Sequence, residues 1–142
     1  MHEYESSMVW SEGRRGKVEA PGLPSLEFGS PPEFGGPEGV WTPEHAFVTA
    51  VNACVLLTFA AIADFSKLSF RSLSTSSKGT LDKVEGAGLR FTAVDVTLRV
   101  EVGSEADVPR AERLVQKAEA ACLVSKSLKT PVRVKGEIRV GG

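Results

Sequence analysis

Cysteine and histidine are scarce in this chain, and each shortage removes a class of protein. The 142 residues hold two of each. Two cysteines do not make the disulfide framework of a small secreted domain, and neither sits in a C-x-x-C pair of the kind that grips zinc. His2 and His45 stand far apart. A zinc site drawn from Cys54, Cys122, His45 and Glu44 is conceivable as chemistry, but no ligand spacing announces it. A surplus of one charge is missing as well. The 17 basic and 18 acidic residues leave a net charge of −1, so there is no electrostatic footprint for nucleic acid or an anionic membrane. Met1 to Trp10 is polar and carries Glu3 and Glu5, unlike a secretory leader. Internal repeats and low-complexity segments are absent too. What remains is a chain of one domain's length, 1–142, with an ordinary 42% of hydrophobic residues and an expected cytoplasmic location, where a cysteine pair serves redox or packing roles.

One long hydrophobic run is present. From Ala46 to Ala63 there are 18 residues without a charge, the lower limit for a membrane span. Thr49, Asn52, Cys54 and Thr58 interrupt it and no basic flank orients it. The expectation is a helix buried on nearly all sides, in a core or a subunit interface. Thr42 is its N-cap candidate, Pro43 suits the first helical position, and Glu44 lies where the helix dipole favours an acid. The helix should end near Asp64 or Phe65.

Around it the period is that of strands. His2 to Trp10 and Gly16 to Ala20 read as short strands broken at Gly13–Gly16. Pro21 to Gly39 is a glycine- and proline-rich loop, with one short strand at Ser25 to Phe28. Phe70 to Lys83 and Leu89 to Val102 read as a long antiparallel pair turning at Glu85–Gly88, and Val94, Val96, Leu98 and Val100 form the apolar face of the second. Asp107 should cap a second helix with Leu114, Val115, Ala118 and Ala121 on its apolar face. A short helix over Cys122 to Leu128 and a last strand over Val132 to Val140 follow. This order of elements specifies an α+β domain.

Taken alone, Cys54 and Cys122 read as small apolar core residues. A reactive cysteine needs a cation, a metal or a helix N-terminus nearby, and the helix carrying Cys54 offers none. Arg14 and Arg15, in the Gly13-Arg14-Arg15-Gly16 turn, are the candidate cations. Glu44 is the carboxylate able to hold a guanidinium rigid beside a thiol. Cys122 reads either as packing or as a thiol that traps an oxidised Cys54 as a disulfide.

Four stretches together resemble the osmotically inducible protein C / organic hydroperoxide resistance (OsmC/Ohr) family. They are Gly13-Arg14-Arg15-Gly16 after a strand, Pro32-Glu33-Phe34-Gly35-Gly36 in the loop, Thr42-Pro43-Glu44 with Cys54 ten residues after Glu44, and Cys122-Leu123-Val124-Ser125. Leu123 stands where many members carry proline, and His45 where glutamine is common. The resemblance implies antiparallel sheets packed around a long central helix in an intertwined homodimer. It implies a peroxidase in which Cys54 reduces organic hydroperoxides and Cys122 resolves the sulfenic acid, with Arg14, or Arg15 by a one-residue slip, polarising Cys54 and Glu44 orienting the arginine. No cofactor is implied. An external dithiol or a lipoylated protein would restore the thiols.

Helix geometry adds a condition. Ten residues separate Glu44 from Cys54 by about 15 Å along a helix axis, too far for direct contact. Either the arginine bridges a bend or Glu44 comes from a partner's antiparallel helix; the uncharged run from Ala46 to Ala63 favours the second, so each site is expected to be composite, with Arg14 and Glu44 of one subunit near Cys54 of the other. An apolar pocket lined by Phe34, Phe47 and Val51 would favour bulky alkyl peroxides. The alternative is a module of the same fold that binds a hydrophobic ligand without turnover.

Overall fold

Short strands broken by glycine- and proline-rich turns make a three-stranded meander of the first 30 residues. In the computed structural model, which describes residues 1–141, Ser7–Glu12 (β1) pairs antiparallel with Arg15–Glu19 (β2), and β2 with Leu26–Gly29 (β3), giving the order β1-β2-β3. A one-turn 3-10 helix at Pro32–Phe34 follows. Trp41 then bridges to Phe28, its carbonyl accepting the Gly29 N–H at 2.8 Å. These elements belong to a first compact unit, Met1–Phe47; a second begins at Val48.

The long helix α1 spans Pro43–Phe65. Thr42 caps it as expected: its Oγ1 accepts the His45 N–H at 3.0 Å, satisfying one of the donors that a helix start leaves open. The far end closes through the Leu68 N–H on the Ala63 carbonyl, with Lys67 in the left-handed region usually given to glycine. By length and composition α1 is able to cross a membrane. Its stripe of Val51, Val55, Phe59 and Ala63, however, is fully buried within the chain, as in a core helix. Within one chain the burial is confined to this stripe. A single sheet covers one stripe of a helix, and Leu57 and Phe65 are left 64% and 91% exposed.

The second unit holds the long hairpin, Phe70–Val84 (β4) and Gly88–Val102 (β5), paired antiparallel over nearly their whole length. Helices α2 (Val108–Ala121) and α3 (Leu123–Lys126) carry the chain to Val132–Val140 (β6). Because that crossover returns the chain to the same end of the sheet, β6 runs parallel to β5, a departure from purely antiparallel sheets. Val94, Val96, Leu98, Val100 and Val102 are buried on one face of β5. On that face Gly79, opposite Val94, lies under Val48 of α1, and Gly136, opposite Leu98, lies under Val115 of α2. Phe59 and Phe70 add an aromatic contact with centroids 6.2 Å apart. The other face is solvated and laced by Asp95–Arg133, Arg99–Glu137 and Glu101–Arg139 ion pairs.

Two details of α2 differ from expectation. Asp107 holds the N-cap position without a capping hydrogen bond, since a 3-10 turn over Glu105–Asp107 runs straight into the helix; Ser104 Oγ donates to its carboxylate instead. The buried stripe is Ala111, Leu114, Val115 and Ala118, and Ala121, on the last turn, is exposed.

Candidate active site

Cys54 lies in the middle of α1 and Cys122 between α2 and α3, and the second unit brings their side chains together. Both are free thiols, Cys54 part-buried and Cys122 fully buried. The Cys122 thiol neighbours the Cys54 sulfur and acts to favour its thiolate. Thr58, one turn further along α1, places its hydroxyl 3.7 Å from that sulfur. The backbone amides of Val124 and Leu123, at the start of α3, also favour its thiolate. On the far side Ser125 Oγ donates to the Cys122 sulfur at 3.1 Å. The result is a chain of four side chains, Thr58, Cys54, Cys122 and Ser125.

The two thiols differ in acidity. Burial acts to raise the Cys54 pKa, but the Cys122 thiol, the Val124 amide, Thr58 and the Leu123 amide all favour the thiolate, and the net shift is downward. Cys122 moves the other way. Burial raises its pKa, and its hydrogen bond with Cys54 raises it further, while Ser125 opposes both. Of the two thiols, Cys54 is the one whose surroundings favour ionisation. No cation stands on the helix of Cys54; what favours its thiolate is first Cys122, then the Val124 amide, Thr58 of the same helix and the Leu123 amide.

Arg14 and Glu44 belong to the first unit. The Arg14 guanidinium donates through Nη1 to the Phe34 carbonyl and rests on Gly35. Gly35 has φ 86°, and a Cβ there would strike the guanidinium; a Cβ on Gly36 would strike the Ser30 carbonyl. The Pro32–Gly36 motif is thus the seat of an arginine side chain. Arg15 is engaged elsewhere, in an ion pair with Glu27 at 3.2 Å. Glu44 stands in the first turn of α1, with its Oε1 buried and accepting no hydrogen bond. His45 shares the Thr42 hydroxyl, Nδ1 to Oγ1 at 2.7 Å, and meets Trp41 edge-on. Among the described residues no three His, Cys, Asp or Glu side chains gather as metal ligands do, so the zinc arrangement is not formed. Val51 is fully buried in the core.

Thr58 and Ser125 escaped the sequence reading as parts of the site. Their signal was available, since each lies one helical turn after a cysteine, at i+4 and i+3. The amides of Leu123 and Val124 left no such signal, because every residue but proline carries one.

The profile of the family described as OsmC-like protein matches residues 36–137. The uncharacterized protein YmaD of Bacillus subtilis is 27% identical over 150 residues, spanning 99% of this chain and 97% of its own. An OsmC-like protein of unknown function from Vibrio cholerae has the same fold, with a TM-score of 0.85 at 22% identity over 97% of this chain and 99% of its own. An organic hydroperoxide resistance protein OsmC from Legionella pneumophila superposes with a TM-score of 0.74 at 27% identity, covering 98% of each chain.

Proposed function

From the premise that this chain belongs to the OsmC-like protein family, with its α+β fold, we propose that it is a thiol peroxidase reducing organic hydroperoxides, alkyl or fatty-acid, to alcohols. The observation that supports this most is the pair of unequal thiols: Cys54 favoured as thiolate, its neighbour Cys122 disfavoured. A peroxidase needs that polarity. The Cys54 thiolate attacks the outer oxygen of ROOH, the O–O bond breaks, and the alkoxide takes a proton to leave as alcohol, giving a sulfenic acid on Cys54. Cys122 closes the disulfide with loss of water, and an external dithiol or lipoylated protein returns both thiols by exchange. No cofactor takes part.

In this reading Arg14 is the cation that stabilises the thiolate and the charge developing on the peroxide oxygens, and Glu44 orients it. The exposed apolar side chains of α1, Leu57 and Phe65, and of β1, Met8, Val9 and Trp10, are surface that a second copy would cover. We take the working form to be a cytoplasmic homodimer with composite sites, which should run at twice the chain mass by light scattering without detergent.

The direct test is turnover of cumene hydroperoxide with dithiothreitol. Wild type should consume it, Cys54→Ser should not, and one equivalent of peroxide should produce a Cys54–Cys122 disulfide, two hydrogens lighter by mass. Equal, slow consumption by both proteins would end the enzyme reading in favour of a hydrophobic-ligand module.

A further inference from the structure

The chain of contacts Thr58, Cys54, Cys122, Ser125 is asymmetric in a way that the peroxidase reading does not use. Thr58 touches Cys54 and Ser125 touches Cys122. The two hydroxyls therefore address two different half-reactions. We propose that Ser125 is the positioning residue of the second one: its hydroxyl fixes the Cys122 sulfur beside Cys54 and supports the charge that this sulfur acquires when it attacks oxidised Cys54. This rests on the peroxidase reading and extends it to a residue and a step.

The attack is demanding because Cys122 is fully buried. A buried thiol reaches its nucleophilic form only if donors replace the lost water. Among the described residues, the groups that favour a charge on its sulfur come from Ser125, whose hydroxyl donates to it at 3.1 Å and whose backbone amide acts in the same sense. The influence of Cys54 changes during the cycle. While Cys54 is a thiolate, its charge and its hydrogen bond with Cys122 both oppose ionisation of Cys122. Conversion to the sulfenic acid removes that negative charge. Burial and Ser125 are then left as the opposing influences, and Ser125 is the favourable one. Oxidation of Cys54 thus readies Cys122, and the two thiols act in a fixed order.

The step balances without an added base. The Cys122 sulfur lone pair forms the S–S bond to Cys54 as the Cys54 S–O bond breaks. The electron pair of that bond leaves on hydroxide, and the proton of the Cys122 thiol joins it, so water departs. The oxidant is the hydroperoxide consumed in the first half-reaction.

Single-turnover kinetics on the full chain separate the halves. Reduced wild type, Ser125→Ala, Ser125→Thr and Thr58→Val are mixed with one equivalent of cumene hydroperoxide. Peroxide loss reports the first step, and dimedone trapping with intact mass reports sulfenic acid and disulfide. Ser125→Ala should leave peroxide loss within about twofold of wild type but slow disulfide closure roughly tenfold or more, as loss of a hydrogen bond to a forming charge predicts. Dimedone-reactive Cys54 should accumulate, and the pH profile of closure should move to higher pH. Ser125→Thr should restore closure, and Thr58→Val should slow peroxide loss instead. Closure in Ser125→Ala at the wild-type rate and pH profile would overturn the proposal, as would equal slowing of both steps. Diamide keeps the two readings distinguishable. It oxidises Cys54 by adduct formation and leaves as the hydrazine when Cys122 attacks. If wild type ignores hydroperoxide, the peroxidase reading fails, yet Ser125→Ala must still close more slowly after diamide if Ser125 has the assigned role.

Discussion

Around the thiols, each sulfur is met by groups of its own unit: Thr58, Cys122 and two amides at Cys54, Ser125 at Cys122. In the first unit the charged partners are less complete. Arg14 spends one N–H on the Phe34 carbonyl, and Glu44 Oε1 is buried without accepting a hydrogen bond. A buried carboxylate oxygen without a donor is costly, on the order of a few kcal/mol. The contrast teaches that the proximity and acidity of the thiols are built within the second unit, while Arg14 and Glu44, the charged groups proposed to assist them, are carried by the first. Thiol chemistry and arginine assistance should therefore be separable by mutation.

The largest effect should come from Arg14. Arg14→Ala is expected to lower kcat/KM for cumene hydroperoxide about 10²- to 10³-fold, the usual loss for one charge-stabilising group. Arg15→Ala should stay within about twofold, since an exposed ion pair contributes little. Equal effects of the two substitutions would mean that the thiols work unaided, and the contrast would break. Next in size is Gly35→Ala, whose new Cβ meets both a left-handed backbone and the Arg14 guanidinium. Urea unfolding should show a loss of about 1–3 kcal/mol, with activity falling further than the loss of folded protein explains.

Leu123→Pro sharpens the other side. Proline fits the first position of α3 and removes one amide N–H that favours the Cys54 thiolate. The Cys54 thiolate should form at higher pH, visible in the pH profile of peroxide loss or of alkylation by iodoacetamide, with a rate loss at neutral pH of roughly two- to tenfold. An unchanged profile would mean that this amide is not a working donor. The smallest effect belongs to the solvated face of the second sheet. Arg133 holds the Asp95 carboxyl below its usual range. A depressed carboxylate contributes stability above its unfolded pKa and loses it as pH falls through the folded one. Wild type and Arg133→Ala should thus differ slightly at neutral pH and converge in acid denaturation.

Much of the fold was legible because its signals are local. Thr42-Pro43-Glu44 start α1 through capping and dipole effects that act over one turn, and the alternation from Val94 to Val102 marks a sheet with one buried face. What the sequence left open was of tertiary origin. The sequence pattern of α1 is apolar all round, but how many of its sides are covered depends on how many layers exist to cover them. The parallel pairing of β6 depends on where the crossover through α2 and α3 sets the chain down, and no residue of β6 encodes that direction.

The cysteines divide along the same line. The sequence alone determined that Cys54 would lie within a long apolar helix and that Cys122 would sit at a break between helices, because periodicity and punctuation are properties of neighbouring residues. That Cys122 neighbours Cys54, that the amides of Leu123 and Val124 favour the Cys54 thiolate, and that Ser125 attends Cys122 were decided only by the tertiary structure. Acidity is set by what lies within a few ångströms in space, and apart from Thr58 of its own helix the groups that favour the Cys54 thiolate come from residues 122–124, far along the chain.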